Sequence, residues 1–197
     1  MNEHVLRSLL NIEAEQSISK VQIFDEIDST NSESLRQIQS GATENRLVVA
    51  SSQTAGRGRR GRQWLSPKNA GLYFSLTRSF PLEASALQSL SLVTAISVVE
   101  ALHELGAAKL TLKWPNDVLY EKRKLGGILL ELQLKEATRF LVFGIGVNIN
   151  LPADSIASID RPVVDLQSIV GELPTPEALL AALLNQLCRN LYDYERN

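Results

Sequence analysis

Apolar positions along the chain follow two periods. Strict alternation over a few residues argues for a strand with one buried face, whereas recurrence at three and four argues for a helix. Alternation runs through residues 21–27 (Val-Gln-Ile-Phe-Asp-Glu-Ile) and 72–77 (Leu-Tyr-Phe-Ser-Leu-Thr), and 47–51 is a largely apolar run around the β-branched pair Val48-Val49, so all three are read as strands. Between residues 84 and 105, Leu87, Leu90, Val93, Ile96 and Val99 recur every third position and Leu102 and Leu105 prolong the stripe. That pattern predicts a buried helix, stopped by Gly106. A second stripe, Leu179, Leu180, Leu183, Leu184, Leu187 and Leu191, begins where Thr175 can cap and Pro176 suits a first turn.

The other segments read less strongly. Residues 1–20 form a weakly helical lead-in, and Thr30 with Glu33 has capping-box spacing for a helix over about 31–39 that Gly41 ends. Residues 110–114 make a strand closed by Pro115 and the polar turn Asn116-Asp117. Residues 118–120 and 124–132 flank the charged turn Glu121-Lys122-Arg123 as a hairpin, with Gly126 and Gly127 where something approaches the backbone. Residues 140–150 are apolar for four positions and then carry Gly144 and Gly146, which makes room on one face for a ligand or for a bulge or tight packing. Residues 151–174 are loop-rich, with Pro152, Pro162 and Pro174. Strands outnumber helices and mix hairpin with crossover connections. The expected class is therefore α+β, a mixed and largely antiparallel sheet packed against helices, in one domain over 1–197.

Composition narrows the partners. The net charge is -2, which does not suit an extended nucleic-acid face. Cys188 is the single cysteine and lies within the second leucine stripe, so no internal disulfide exists and the thiol reads as core filler in a reducing compartment. No run of about 20 apolar residues is present and the first ten carry Glu3 and Arg7, so a soluble cytoplasmic protein is expected, with no membrane partner. His103 reads as an ordinary surface or cap residue.

Chemistry is concentrated in four stretches near strand ends: Asp28-Ser-Thr-Asn31, Gln53 to Arg62, Lys113-Trp-Pro-Asn-Asp117 with Lys124-Leu-Gly-Gly127, and Gly144 to Asn150. The second holds Gly56, Gly58 and Gly61 among Arg57, Arg59, Arg60 and Arg62. Glycine allows tight bends and close approach, and arginine offers a planar charged fork, so the run asks for an anion. By itself it could equally be a solvated loop or a nucleic-acid-binding run.

In this order the four stretches resemble the catalytic domain of biotin protein ligase, the biotin-[acetyl-CoA-carboxylase] ligase family, from about residue 21 to the final helix. The resemblance implies a fold like that of class II aminoacyl-tRNA synthetases. It implies ATP-dependent formation of biotinyl-5'-AMP and transfer to a lysine of a biotin carboxyl carrier domain. It assigns biotin contacts to Ser29, Thr30, Asn31, Gln53, Gly56, Arg57, Lys124, Gly127 and Gly146. It assigns nucleotide contacts to Arg59, Arg62, Trp64, Lys113, Asn116, Lys124 and Asn148, with Mg²⁺ bridging phosphates and Asn148 near the metal. Lys124, Arg57, Arg59 and Asp117 are the implied catalytic residues; Asp117 would orient or deprotonate the acceptor lysine, or merely fix its turn.

Two departures qualify the resemblance. Twenty residues before Val21 are too few for the winged helix-turn-helix of repressor members, so no operator binding is expected, and no SH3-like domain is expected after the last helix. A homodimer is compatible with the family. The rival activities are lipoate or octanoate transfer on the same fold, whose enzymes generally lack the arginine run, and nucleic-acid binding through that run.

Overall fold

The computed structural model describes residues 1–80 and 87–196. Its frame is one seven-stranded sheet in the order β1-β2-β3-β7-β6-β5-β4. Strand β1 (Lys20–Ile27) leads through helix α3 (Thr30–Gln39) to β2 (Arg46–Gln53), which runs parallel to β1. All other pairings are antiparallel: β3 (Gly71–Ser79) lies between β2 and β7 (Thr138–Asn148), β7 pairs with β6 (Arg123–Lys135), and β5 (Asp117–Tyr120) joins β6 to β4 (Leu110–Lys113). The expected mixed, largely antiparallel sheet is thus what forms. Two short helices, α1 (Glu3–Ser8) and α2 (Ile12–Ser17), make up the lead-in, each capped by an asparagine, Asn2 and Asn11. The loop-rich stretch holds two more, α5 (Ala153–Ser158) and α6 (Gln167–Val170).

The sheet's two faces divide the labour, and alternation along β7 sets the division. Leu141, Phe143, Ile145 and Val147 point to the main core, where they join Phe74 and Leu76 of β3 and the buried stripes of α4 (Leu87–Glu104) and α7 (Pro176–Arg196). On the other face, Phe140 and Val142 pack with Ile38 and Leu35 of α3. The next two positions on that face are Gly144 and Gly146. Helix α3 therefore covers half of the face, and the glycine half is left for the site.

Two expectations needed adjustment. Ser29, not Thr30, caps α3, since its hydroxyl accepts from the Ser32 amide, and Glu33 turns outward to Arg36. In α4 the every-third stripe does not stay in the core: Leu90, Ala95, Val98, Ala101 and Leu102 are buried, but Ile96 is 37% exposed. A spacing of three falls short of a helical turn by about 60° at each step, so the middle of such a stripe swings out of the interface. The beginning of that helix, at residues 84–86, lies outside the described residues. Cys188 is fully buried against α7's neighbours, and burial pushes its thiol up to about 11. Among the described residues no helix is long and apolar enough to cross a membrane.

Because Leu184 is wholly buried, Leu184→Ala should cost about 2–5 kcal/mol of unfolding free energy, read from a urea titration. Leu92, 42% exposed on α4, should tolerate the same change within about 0.5 kcal/mol. Equal losses would mean that α7 is not part of the core.

Candidate active site

On the glycine face a cleft of about 780 Å³ opens between the start of α3, the β2–β3 loop, and the ends of β5, β6 and β7. Each glycine in its floor makes room for a particular side chain. A Cβ on Gly144 would stand 2.0 Å from Asn31 Oδ1, and one on Gly146 or Gly127 would stand 2.8 or 2.9 Å from the ring of Trp64. The space expected against these glycines is thus occupied by Asn31 and Trp64, which themselves line the cleft. Trp64, assigned by resemblance to the nucleotide, lies on the two glycines assigned to biotin. Its indole N–H is buried without an acceptor among the described residues.

The inner end of the cleft is a hydrogen-bond chain whose proton order can be deduced. Asn31 Nδ2 donates to Leu129 O at 3.2 Å and to Glu131 Oε2 at 2.9 Å, both acceptors only. The Asn31 carbonyl must therefore face Ser75, which donates to it at 2.6 Å. With its one proton spent, Ser75 Oγ can only accept in the 2.8 Å contact with Thr30 Oγ1, which takes the Thr30 proton in preference to Gln53 Oε1 at 3.3 Å. Thr30 Oγ1 is left with lone pairs toward the cleft. Gln53 ties this end to the loop: its Oε1 accepts from the Thr30 amide at 2.9 Å and its Nε2 donates to Ser66 Oγ at 2.7 Å. Ser29 keeps its own hydroxyl proton, because its cap bond uses only a lone pair.

The arginine run forms a small hairpin on the cleft's rim. Trp64 N donates to Gly56 O at 2.9 Å, Gly58 N donates to Arg62 O at 2.7 Å, and a 3₁₀ turn over Arg59–Gly61 closes the tip with Arg60 at φ 57° and Gly61 at φ 71°. Arg57 is held bidentately by Glu131 at 2.8 and 2.9 Å. Among the described residues Arg59, Arg60 and Arg62 have no ion-pair partner. Gly56 is the one predicted site residue outside the cleft wall: it is buried beneath the hairpin, where a Cβ would meet Trp64 O at 2.4 Å. Its role here is to let the hairpin close.

The opposite wall carries Lys113, Asn116, Asp117, Lys124 and Asn148. Asn116 is pinned to β6 by its amide, which donates to Ile128 O at 3.0 Å, and this sets Asp117 beside Lys124. Lys124 Nζ donates to Asp117 Oδ1 at 2.6 Å and lies 5.1 Å from the Trp64 ring centroid. Burial pulls the Lys124 ammonium below the ordinary lysine range, Asp117 opposes this, and Arg161 and Arg62 push the same way as burial. Asn148 Nδ2 is spent on Lys124 O and Val164 O. Seven lysines and arginines line the cleft against two carboxylates, Asp117 and Asp160, so the cavity attracts an anion before any ligand arrives.

The reading of the sequence missed Ser75, Glu131, Lys122 and the segment 158–163 with Arg161. Glu131 was accessible in principle, since it alternates with Gly127 and Leu129 on the cleft side of β6. The segment carries no local signal of its placement.

The model of the biotin/lipoate A/B protein ligase family matches residues 23–148, which include the first three chemistry-bearing stretches whole and the fourth as far as Asn148. The chain belongs to that family. The biotin-[acetyl-CoA-carboxylase] ligase of Paracoccus denitrificans is 37% identical over 168 residues, covering 82% of this chain and 69% of the relative. The bifunctional ligase/repressor BirA of Escherichia coli (strain K12) is 36% identical over 89% of this chain, which spans 54% of that relative's length. The structure of biotin protein ligase from Aquifex aeolicus in complex with biotin and ATP superposes with a TM-score of 0.73 at 32% identity, covering 91% of this chain and 73% of that one. The chain has the fold of a biotin/lipoate ligase catalytic domain.

Substituting Gly146→Ala should expel the indole of Trp64 from its seat, because that Cβ would lie 2.8 Å from the ring. A red shift of Trp64 emission, isolated in a Trp114→Phe background, with the unfolding midpoint little changed, is the expected result. Unaltered emission would place the indole elsewhere.

Proposed function

We propose that this chain activates biotin with ATP as biotinyl-5'-AMP and passes the biotinyl group to a lysine of a biotin carboxyl carrier domain. The observation that carries the reading is a single cleft in which a neutral hydrogen-bonding slot leads into a mouth of unpaired cations. Biotin combines a neutral ureido head with an acidic tail, and ATP adds phosphate charge. In the slot, Thr30 Oγ1 is an acceptor for a ureido N–H, while Ser29 Oγ and the unpartnered Trp64 indole N–H offer donors.

In the first step a biotin carboxylate oxygen attacks the α-phosphorus and pyrophosphate leaves. Two anions must approach, and preorganised positive charge lowers the cost of bringing them together. Lys124, at the junction of slot and mouth, is the group for the carboxylate and α-phosphate; Arg59 and Arg62, with Lys113 and Asn116 across the cleft, serve the nucleotide. In the second step the acceptor amine attacks the acyl carbon, AMP leaves, and one proton is lost from nitrogen. Asp117 is the nearby carboxylate for orienting that amine. Asp117 Oδ1 is engaged by Lys124, so this role falls to its other oxygen.

Among the described residues no group of three or more His, Cys, Asp or Glu could hold a metal. That fits Mg²⁺ carried by the phosphates rather than by a protein cage, since this ion keeps its waters and takes few protein oxygens. With Nδ2 committed, Asn148 has its Oδ1 to offer. When bound, the ion neutralises phosphate charge.

Biotin, ATP, Mg²⁺ and a carrier domain mixed with the protein should give carrier mass gain and pyrophosphate release. Lipoyl or octanoyl transfer instead, or no transfer, would overturn the reading. In the same assay Arg59→Gly should raise the release of free adenylate more than it weakens biotin binding, because an unpaired loop-tip cation is what retains the intermediate; unchanged release would remove Arg59 from that role.

Asp117→Asn tests the lysine's charge. Lys124 is already held below the ordinary lysine value, and Asp117 is the group that raises it. A lysine is cationic below its pKa, so the rate of adenylation should fall as pH rises through it. Loss of Asp117 should move that alkaline limb to lower pH, and an unmoved limb would show that Lys124 does not govern it.

A further inference from the structure

Four arginines share the rim hairpin, yet among the described residues only Arg57 is ion-paired. Its partner is not on the loop. Glu131 belongs to β6, in register with Val142 of β7, and it reaches the cleft from the floor. Both its oxygens are engaged: Oε1 accepts from Arg57 Nη2 at 2.8 Å, and Oε2 accepts from Arg57 Nη1 and from Asn31 Nδ2, each at 2.9 Å. One carboxylate therefore joins a sheet strand, the loop and the first turn of α3. Asn31 is 3% exposed, so the second amide proton it gives Glu131 has no water to turn to.

Location within the hairpin gives this its meaning. Arg57 bridges to Gln63 at the hairpin's base, and Trp64 N donates to Gly56 O just below. The free guanidinium groups are all on the tip, from Arg59 to Arg62. A mobile cover that carried its whole arginine set with it would lose its alignment with Thr30 each time it opened. A cover anchored at its base would not.

We infer that Glu131 is a positioning residue. It fixes Arg57 and Asn31 together, keeps the loop base ordered in the empty protein, and leaves only residues 58–62 to move on ligand binding. It acts through these two residues and touches no reacting atom. Its consequence for substrate rests on the biotin reading above: the slot is preformed, so loss of Glu131 weakens capture of biotin rather than the chemistry that follows.

Hydrogen exchange on the ligand-free protein tests the anchor without reference to any activity. In Glu131→Gln, and more so in Glu131→Ala, amides over residues 56–64 should exchange about tenfold faster, the scale of one charge-assisted hydrogen bond. Amides of β6 and β7 beyond residue 131 should not change, which separates a freed loop from a damaged fold. Unchanged exchange at 56–64 would overturn the anchor.

Calorimetry with biotin and pyrophosphate release at saturating biotin then give the second readout. The expected result is a Kd raised about tenfold with the saturated rate within about twofold, since lost preorganisation appears in binding. A loop freed without loss of affinity would overturn the positioning role. Wild-type protein that binds no biotin would instead overturn the functional reading and the substrate half of this inference, while the exchange result still decides whether Glu131 is the anchor.

Discussion

The site depends on a steric constraint: one face of the central sheet runs out of side chains halfway along. Phe140 and Val142 hold α3 against β7, and two residues further on the same face presents Gly144 and Gly146, joined across the pair by Gly127 of β6. Bare backbone in mid-sheet is normally a weakness, because it forfeits packing. Here the vacated space admits Asn31, which could not lie where it does if Gly144 carried a Cβ, and Trp64, which could not if Gly127 or Gly146 did. From these two residues the polar chain to Thr30 and the floor beneath Lys124 follow.

Charge is organised on top of that constraint. Of the cleft's cations, Arg57 and Lys124 are the two given carboxylate partners, Glu131 and Asp117. Those at the mouth and loop tip have none among the described residues. Pairing makes a cation precise in position; leaving it unpaired makes it available. The cleft thus has a fixed inner electrostatic pattern and an outer field that an anionic ligand can recruit.

Much of this was legible in sequence because it is written in local patterns. Alternation over 21–27 and 72–77, the leucine stripe of α7 and the Gly-Arg run each express a constraint that a few neighbouring residues satisfy alone. The α4 stripe misled because a spacing of three approximates a helical turn without equalling it, and a long helix accumulates the difference. The cap of α3 was displaced by one residue because Ser29 and Thr30 are chemically alike and only the chain's entry direction chooses between them. Ser75 escaped notice because a serine within a strand carries no mark of the polar chain it serves.

What the sequence determined by itself was the class of fold, the family to which the chain belongs, and the polar and cationic residue types that line the cleft. Those follow from periodicity and from motifs short enough to be read in place. The tertiary structure alone decided which cations are neutralised, which way the protons run from Asn31 to Thr30, and that Trp64 rather than open space faces the glycines. Each joins residues far apart in the chain, as with Arg57 and Glu131, 74 positions apart. A contact of that kind exists only once the strands have taken their order in the sheet.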